Sequence, residues 1–450
     1  MKSASNQIDM TTGPVFTKLV KFSVPLILSS ILQLLFNAAD VIVVGRYAGD
    51  DALAAVGSVA PLVNLLVNMF IGLSVGCNVV AANFFGGGRK EDVNRTVHTA
   101  MLLSVFGGII LTFIGVFLST QILSLMGAPE TVLPLSSIYL KVFFGGITAT
   151  VVYNFGSALL RAKGDTKRPL YILFVAGVIN VILNLIFVIA FEMSVAGVAF
   201  ATVLSQCFSA VCVVTILLRE SDDFKLNPKK LKIHWDIFTR ILKIGIPAGL
   251  QGMIFSFSNV LIQSSVNSFG AVVVAGNSAC QAIEGFIYTS MNGFAQGTLT
   301  FVSQNMGAHK IDRIRRVVKT SILCVTVIGL VLGFGAVFLG HSLFSIFTKQ
   351  EDVIQAAISR IWVIGATYCL CGVMDCCANS IRGLGYSIAP MLITLFGACG
   401  LRILYLGTIF QIERFHTYQS IFVSYPLSWG ITFVALMIFL LVSLKKLSTK

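Results

Sequence analysis

Three of the chain's 19 acidic residues lie well inside long apolar runs: Asp40, Glu284 and Asp375. A carboxylate at membrane depth is costly, so it faces a protein interior or a wet cavity and marks a candidate functional site. Asp40 sits in the run between Lys21 and Arg46, about 28 Å along a helix from Lys21 at 1.5 Å per residue. Asn37 stands one turn before it, at a spacing that places the two on neighbouring positions of one helical face. In the fifth apolar run Asn180 and Asn184 are four residues apart, and Thr202 lies one turn into the sixth. Tyr153 and Asn154 fall late in the fourth. Amide and hydroxyl oxygens around one titrating carboxylate suit either a proton or a small hard cation. The bland alternative is that each amide ties helices together and Asp40 is a structural carboxylate.

The second half offers a different set. Glu284 and Asp375 are its intramembrane acids, and Arg402 lies near the middle of the eleventh run at a depth between them. Isolated charges at such depth are expensive, so the three are expected to form or approach one polar network, with Arg402 able to pair with either acid. Asn259 and Gln263 are the polar residues of the seventh run. Lys141 and Arg360 are read as lying nearer the outer surface, where long side chains reach water.

Enzyme signatures are missing. The sequence holds no Walker A motif, no GxSxG and no HExxH, and Gly86-Gly87-Gly88 reads as a turn after a membrane helix. His98, His234, His309, His341 and His416 lack ligand spacing. Cys369, Cys371, Cys376 and Cys377 cluster on one helix, which cannot wrap a tetrahedral metal site by itself. No cofactor is expected, and Asp40 is a candidate site for a proton or a cation.

Composition supplies the setting for these residues. Of 450 residues 56% are hydrophobic and 11% charged, where a soluble protein carries roughly 25% charged residues. The chain is therefore read as an all-α integral membrane protein. Its net charge of +13 does not point to nucleic acid, because the lysines and arginines cluster in alternate loops. Arg89 to Arg95, Arg161 to Arg168, Arg219 to Lys243, Lys310 to Lys319 and Lys445 to Lys450 are such clusters. This positive-inside pattern assigns those loops and both termini to the cytoplasm.

Hydropathy predicts twelve spans, near 18–46, 54–84, 96–122, 132–160, 169–191, 196–218, 241–268, 273–304, 317–341, 354–381, 389–411 and 418–444. A shift of about 221 residues brings Gly72 and Gly76 onto Gly293 and Gly297, and Arg161, Gly164 and Pro169 onto Arg382, Gly385 and Pro390. Six spans per half give both halves one orientation, so the repeat is parallel about an axis along the membrane normal. The expected organisation is a first bundle over 1–218, a linker over 219–240 and a second bundle over 241–450. Pro25 and Pro247, near the starts of spans one and seven, are candidate bends.

The stretches 159–169 (LLRAKGDTKRP) and 380–390 (SIRGLGYSIAP), with 301–308 (FVSQNMGA) and the preceding Ile283-Glu284-Gly285-Phe286, resemble the multidrug and toxic compound extrusion (MATE) family, in its bacterial DinF-like branch. The resemblance covers nearly all of 14–445. It implies two six-helix bundles around a V-shaped cavity that opens alternately to either side, in the bacterial inner membrane. It implies a secondary antiporter, not an enzyme, that exports amphipathic, mainly cationic compounds in exchange for protons or sodium ions, with membrane lipid as its other partner and the monomer as its working unit. Asp40, Asn180 and Thr202 match the family's first-half ion site, whereas Asn184 stands where the family often has Asp. One negative charge is lost there, which favours protons over sodium. Glu284 and Asp375 match acids of the eighth and tenth spans in this branch. The alternative is a flippase for lipid-linked oligosaccharides or peptidoglycan precursors, which shares the fold class but calls for several basic residues in the cavity.

Overall fold

The computed structural model describes residues 7–125 and 132–448. Expectations that reach the extreme termini or residues 126–131 lie outside these residues. The described chain is helical throughout. The first half runs α1 (Val15–Tyr47), α2 (Asp50–Gly86), α3 (Lys90–Leu125), α4 (Leu133–Gly145), α5 (Ile147–Lys163), α6 (Lys167–Leu185) and α7 (Ser194–Arg219). The second runs α8 (Trp235–Asn267), α9 (Ala271–Gly307), α10 (Ile311–Phe338), α11 (Gly340–Phe344), α12 (Glu351–Gly365), α13 (Tyr368–Gly383), α14 (Ile388–Thr394), α15 (Leu401–Gly407) and α16 (Tyr418–Ser448).

Among the described residues nine helical stretches are long and apolar enough to cross a bilayer, and two bent pairs, α4 with α5 and α12 with α13, each make one further span broken by 46°. α9 is the twelfth. Its 37 residues would extend about 55 Å, but Asn277, Gln281, Glu284, Asn292, Gln296, Gln304 and Asn305 lower its hydropathy. It holds the repeat position of α2, which is also 37 residues long. The outer surface is apolar: Phe117, Phe338 and Phe396 are among the exposed large side chains, as hydrocarbon-facing positions require.

The repeat extends to backbone conformation. Gly49 and Gly270, 221 residues apart, start α2 and α9 with φ 89° and ψ 173° and 174°. Gly164 and Gly385 have φ +100° and +96°, and Gly88 (φ 68°) is matched by His309 (φ 56°). The π-helical segments depart from the repeat: Ile186–Ala190 ends the fifth span, whereas Leu395–Gly400 lies earlier in the eleventh.

Contacts divide the chain into two compact units, and the division differs from the boundary expected in the linker. One unit holds Leu28–Ile246 with the stretch ending at Asp9, and the other holds Met10–Ile27 with the chain from Pro247 onward. The beginnings of α1 and α8 thus belong with the half they do not lead into, and the changeovers fall beside Pro25 and Pro247. The two GxxxG motifs account for this physically. A Cβ on Gly76 would stand 2.8 Å from the Gly245 nitrogen of α8. A Cβ on Gly297 would stand 2.5 Å from the Ser23 hydroxyl oxygen of α1. Small residues allow this backbone approach where lipid supplies no hydrophobic drive.

Candidate functional site

In the first unit Asp40, Asn184, Asn180 and Thr202 form one hydrogen-bonded chain across α1, α6 and α7. The Asn184 amide donates to Asp40 Oδ1 and, at 3.3 Å, to Asn180 Oδ1. Asn180 Nδ2 donates to Thr202 Oγ1 at 3.4 Å. The i, i+4 spacing of the two amides on α6 puts both on the face that meets α1 and α7. α1 comes close because Gly177, seven residues before Asn184, has no Cβ: one there would overlap the ring of Phe36, which precedes Asp40 by one turn. The π-helical widening begins just beyond Asn184, and such segments recur at functional sites. Asn184 Oδ1 is buried without a hydrogen-bond partner. A carboxylate oxygen, two amide oxygens and a hydroxyl are therefore grouped, with one buried acceptor unused. No cation pairs with Asp40 among the described residues.

The other first-half candidates stand apart from this chain. Asn37 is exposed, because the inward line on α1 runs through Phe36 and Asp40. The Tyr153 hydroxyl donates to the Pro169 carbonyl at 3.2 Å, which ties α5 to the start of α6. Asn154 is half-buried and takes no part.

The second unit corrects the expected three-residue network. Glu284 is gripped by Arg360, through Nε to Oε1 at 2.8 Å and a second guanidinium nitrogen to Oε2 at 2.6 Å. Both side chains are buried. Cys280 donates to Glu284 at 3.2 Å, and Arg360 also donates to Asn277. Asn277 donates to Gln263 at 2.9 Å, and Gln263 to Asn267 at 2.8 Å. Gln263 thus joins this cluster, whereas Asn259 is exposed.

Arg402 pairs with neither acid. Its Nε donates to Ser428 Oγ at 2.9 Å, and its guanidinium lies 4.2 Å from the Tyr425 ring centroid and 5.5 Å from that of Trp429. Arg360 approaches the same Tyr425 ring at 5.9 Å and Phe422 at 4.7 Å, so Tyr425 stands between the two arginines. Asp375 accepts from the Tyr288 hydroxyl at 3.1 Å, and Asn292 donates to that hydroxyl at 3.3 Å. Asp375 and Asn292 are half-buried and Tyr288 is exposed.

Reading Arg360 as a snorkelling residue missed the buried ion pair. The available signal was an arginine between Ile358 and Ile361 in a run that otherwise needs none. The sequence also gave no reason to single out Tyr288, Cys280 or Tyr425. Among the described residues no group of three or more His, Cys, Asp and Glu side chains is arranged to hold a metal ion, and the ten cysteines are free thiols.

Two matched six-span bundles with an oxygen-rich carboxylate site in one and an ion pair in the other define a multi-pass membrane protein of the two-repeat transporter class. A family model described as MatE matches residues 25–186 and 247–406, one segment in each half. The chain belongs to the MatE family of membrane transporters. It is 25% identical over 427 residues to the Bacillus subtilis (strain 168) protein named "Probable multidrug resistance protein YoeA", covering 93% of this chain and 92% of that one. It is 32% identical over 310 residues, 68% of each chain, to "Probable multidrug resistance protein YpnP" of the same organism. Among solved structures, a MATE in complex with MaL6 superposes with a TM-score of 0.93 at 20% identity, over 99% of this chain and 100% of that one. At that identity the likeness establishes the fold.

Proposed function

We propose that this chain is a secondary antiporter of the plasma membrane. It expels amphipathic, mainly cationic compounds in exchange for protons or sodium ions by alternating access, and Asp40 is the group for which the cations compete. The observation that carries the reading is the contrast between Asp40, held by an amide and matched by no cation, and Glu284, neutralised by Arg360. A carboxylate without a fixed counter-ion binds an exchangeable one. The Asn184, Asn180 and Thr202 oxygens complete a hard-oxygen set for sodium, or stabilise the carboxyl when it carries a proton. Asn184 adds no second negative charge, which favours the proton. The half-buried Asp375 with Tyr288 and Asn292 supplies a polar surface for the organic cation. The multidrug names of the relatives support this substrate class.

Coupling follows from differential affinity. A state that holds the proton or sodium ion at Asp40 disfavours the organic cation, and release of the ion restores the charge that draws the compound in. The flippase reading is not favoured. Arg360 is neutralised, Arg402 is covered by rings, and Lys141 is exposed, so these three span residues do not form the cluster of free basic side chains that a pyrophosphate in a cavity requires.

The test is compound extrusion by cells and inside-out vesicles producing matched amounts of wild type and Asp40→Asn, with proton and sodium gradients imposed separately. Asp40→Asn is expected to fold and insert but to lose gradient-driven efflux. Full efflux by the variant would move the coupling site to Asp375.

A further inference from the structure

The polar segment between α7 and α8 is tied to the first unit at both ends. Leu226 N donates to the Leu217 carbonyl at 2.9 Å, and Asn94 of α3 donates to the Lys225 carbonyl at 3.0 Å. The His98 ring joins the Asn94 carbonyl at 2.7 Å to the backbone of Asn227. His234 N donates to Thr99 Oγ1 at 3.1 Å, and Arg95 donates to His234 Nδ1 at 3.2 Å and to Asp236 at 2.8 Å. Burial, and then the Arg95 charge, hold His234 below the ordinary imidazole pKa, which keeps Nδ1 free to accept. Phe224 is buried, its ring 5.3 Å from that of Phe85. This segment is a strap fastened across the end of the first bundle.

Its charges divide into acids that are mostly paired and lysines that are not. Of its four acids three are paired: Glu220 with Lys163 at 2.7 Å and Arg168 at 2.6 Å, Asp222 with Lys163, and Asp236 with Arg95, while the half-buried Asp223 takes part in no ion pair among the described residues. Lys225, Lys229, Lys230 and Lys232 are exposed, and none takes part in an ion pair among the described residues. Among these lysines two large apolar side chains are also uncovered, Leu231 at 41% and Trp235 at 69% exposure, the latter edge-on to Phe238 at 5.2 Å. Glu220 is neutralised in the interior, and Asp222 and Asp236, though exposed, are each taken up by a basic partner, so the unpaired exposed lysines leave the outer face basic and apolar together.

We propose that this outer face is a docking surface for the anionic phospholipid headgroups of the leaflet on the lysine-rich side. Trp235 opens α8, a helix that crosses the bilayer, so the strap's end lies at the interface where an indole ring is favoured. The four lysines meet the phosphates of anionic lipids, which concentrate basic segments at that surface. Leu231 and Trp235 enter the boundary between headgroups and acyl chains. The inference is independent of the coupling ion and of the exported compound.

The test uses the full chain in phosphatidylcholine nanodiscs containing equal small fractions of spin-labelled phosphatidylglycerol or spin-labelled phosphatidylcholine, the label near the headgroup. Quenching of Trp235 is read as the difference between wild type and Trp235→Phe, so Trp362 and Trp429 stay in place. The phosphatidylglycerol probe is expected to quench about twofold more than the phosphatidylcholine probe. The combined variant Lys229→Gln, Lys230→Gln and Lys232→Gln should make the two probes equal, as should about 0.5 M salt, which shortens the reach of exposed charges. Equal quenching in the wild type, no quenching by either probe, or a preference that survives in the triple variant would overturn the proposal. So would loss of the preference on adding millimolar inorganic phosphate at constant ionic strength, since that describes a single-anion site. Efflux is not read, so these outcomes do not bear on the antiport assay.

Discussion

Asp40 and Glu284 are both carboxylates inside membrane helices, one in each half of a repeated fold, and their neighbours differ in kind. Glu284 has an arginine in bidentate contact, supported by Asn277 and Cys280. Asp40 has an amide chain and an unused amide oxygen. The position 221 residues before Arg360 is Tyr139, which packs against a cluster including Val43 and Val44 of α1 and lies within electrostatic reach of Asp40. Likewise Asn154 stands where the second half has Asp375. One backbone design thus carries a locked carboxylate at Glu284 and an open one at Asp40, with Asp375 of the second half held by a tyrosine hydroxyl and no salt bridge among the described residues. A locked pair gives the bundle rigidity, and an open carboxylate gives it something to exchange.

The sharpest way to break this contrast is to give Asp40 the counter-ion it lacks. Tyr139→Arg is expected to pair with Asp40 and reduce gradient-driven efflux to that of cells without the protein, while the purified variant retains its helical content by circular dichroism. Undiminished efflux would mean that an open Asp40 is not required. Next in size is the reverse change. Glu284→Ala leaves Arg360 buried and unpaired, which should cost about 3–5 kcal/mol of stability. In a thermal unfolding series in detergent, Glu284→Leu combined with Arg360→Met should recover most of that loss, as expected for a structural pair and not for a coupling site.

Two smaller effects probe how each site is positioned. Gly177→Ala pushes Phe36 off α6 and with it Asp40 from Asn184. Overpacking of this sort costs about 1–3 kcal/mol, and efflux should fall by more than the amount of folded protein does; a fall in simple proportion would show that the approach of α1 to α6 is only structural. Tyr425→Leu removes the ring between Arg360 and Arg402, a loss of roughly 2 kcal/mol for desolvated cation–π contacts. It should lower the melting temperature less than Glu284→Ala, and the opposite order would show that the rings, not the ion pair, hold the second cluster.

The spacing of Asn180 and Asn184 and the depth of Asp40 made the first-half cluster legible, because helical period and distance along a helix are local quantities. Asn37 shared that logic on paper, yet Phe36 takes the inward position against Gly177 and turns Asn37 out. Arg360 stood out by type in an apolar run, but its role was hidden for another reason. Depth counted along a straight helix places it near the surface, but α12 and α13 meet at 46°, and its partner Glu284 is 76 residues away on another helix. The division beside Pro25 and Pro247 was equally hidden, since the linker is where the composition changes and the contacts change elsewhere.

The sequence by itself determined that this is a membrane protein of two matched halves, where its helices run, and which few ionisable residues lie at depth. Hydropathy, periodicity and internal repetition are sums over neighbouring residues, and tertiary packing does not alter them. Only the tertiary structure decided which charge is neutralised and which is left open. That depends on contacts across helices, such as Asn184 with Asp40 over 144 residues and Arg360 with Glu284 over 76, and on where a glycine or a bend lets two helices close.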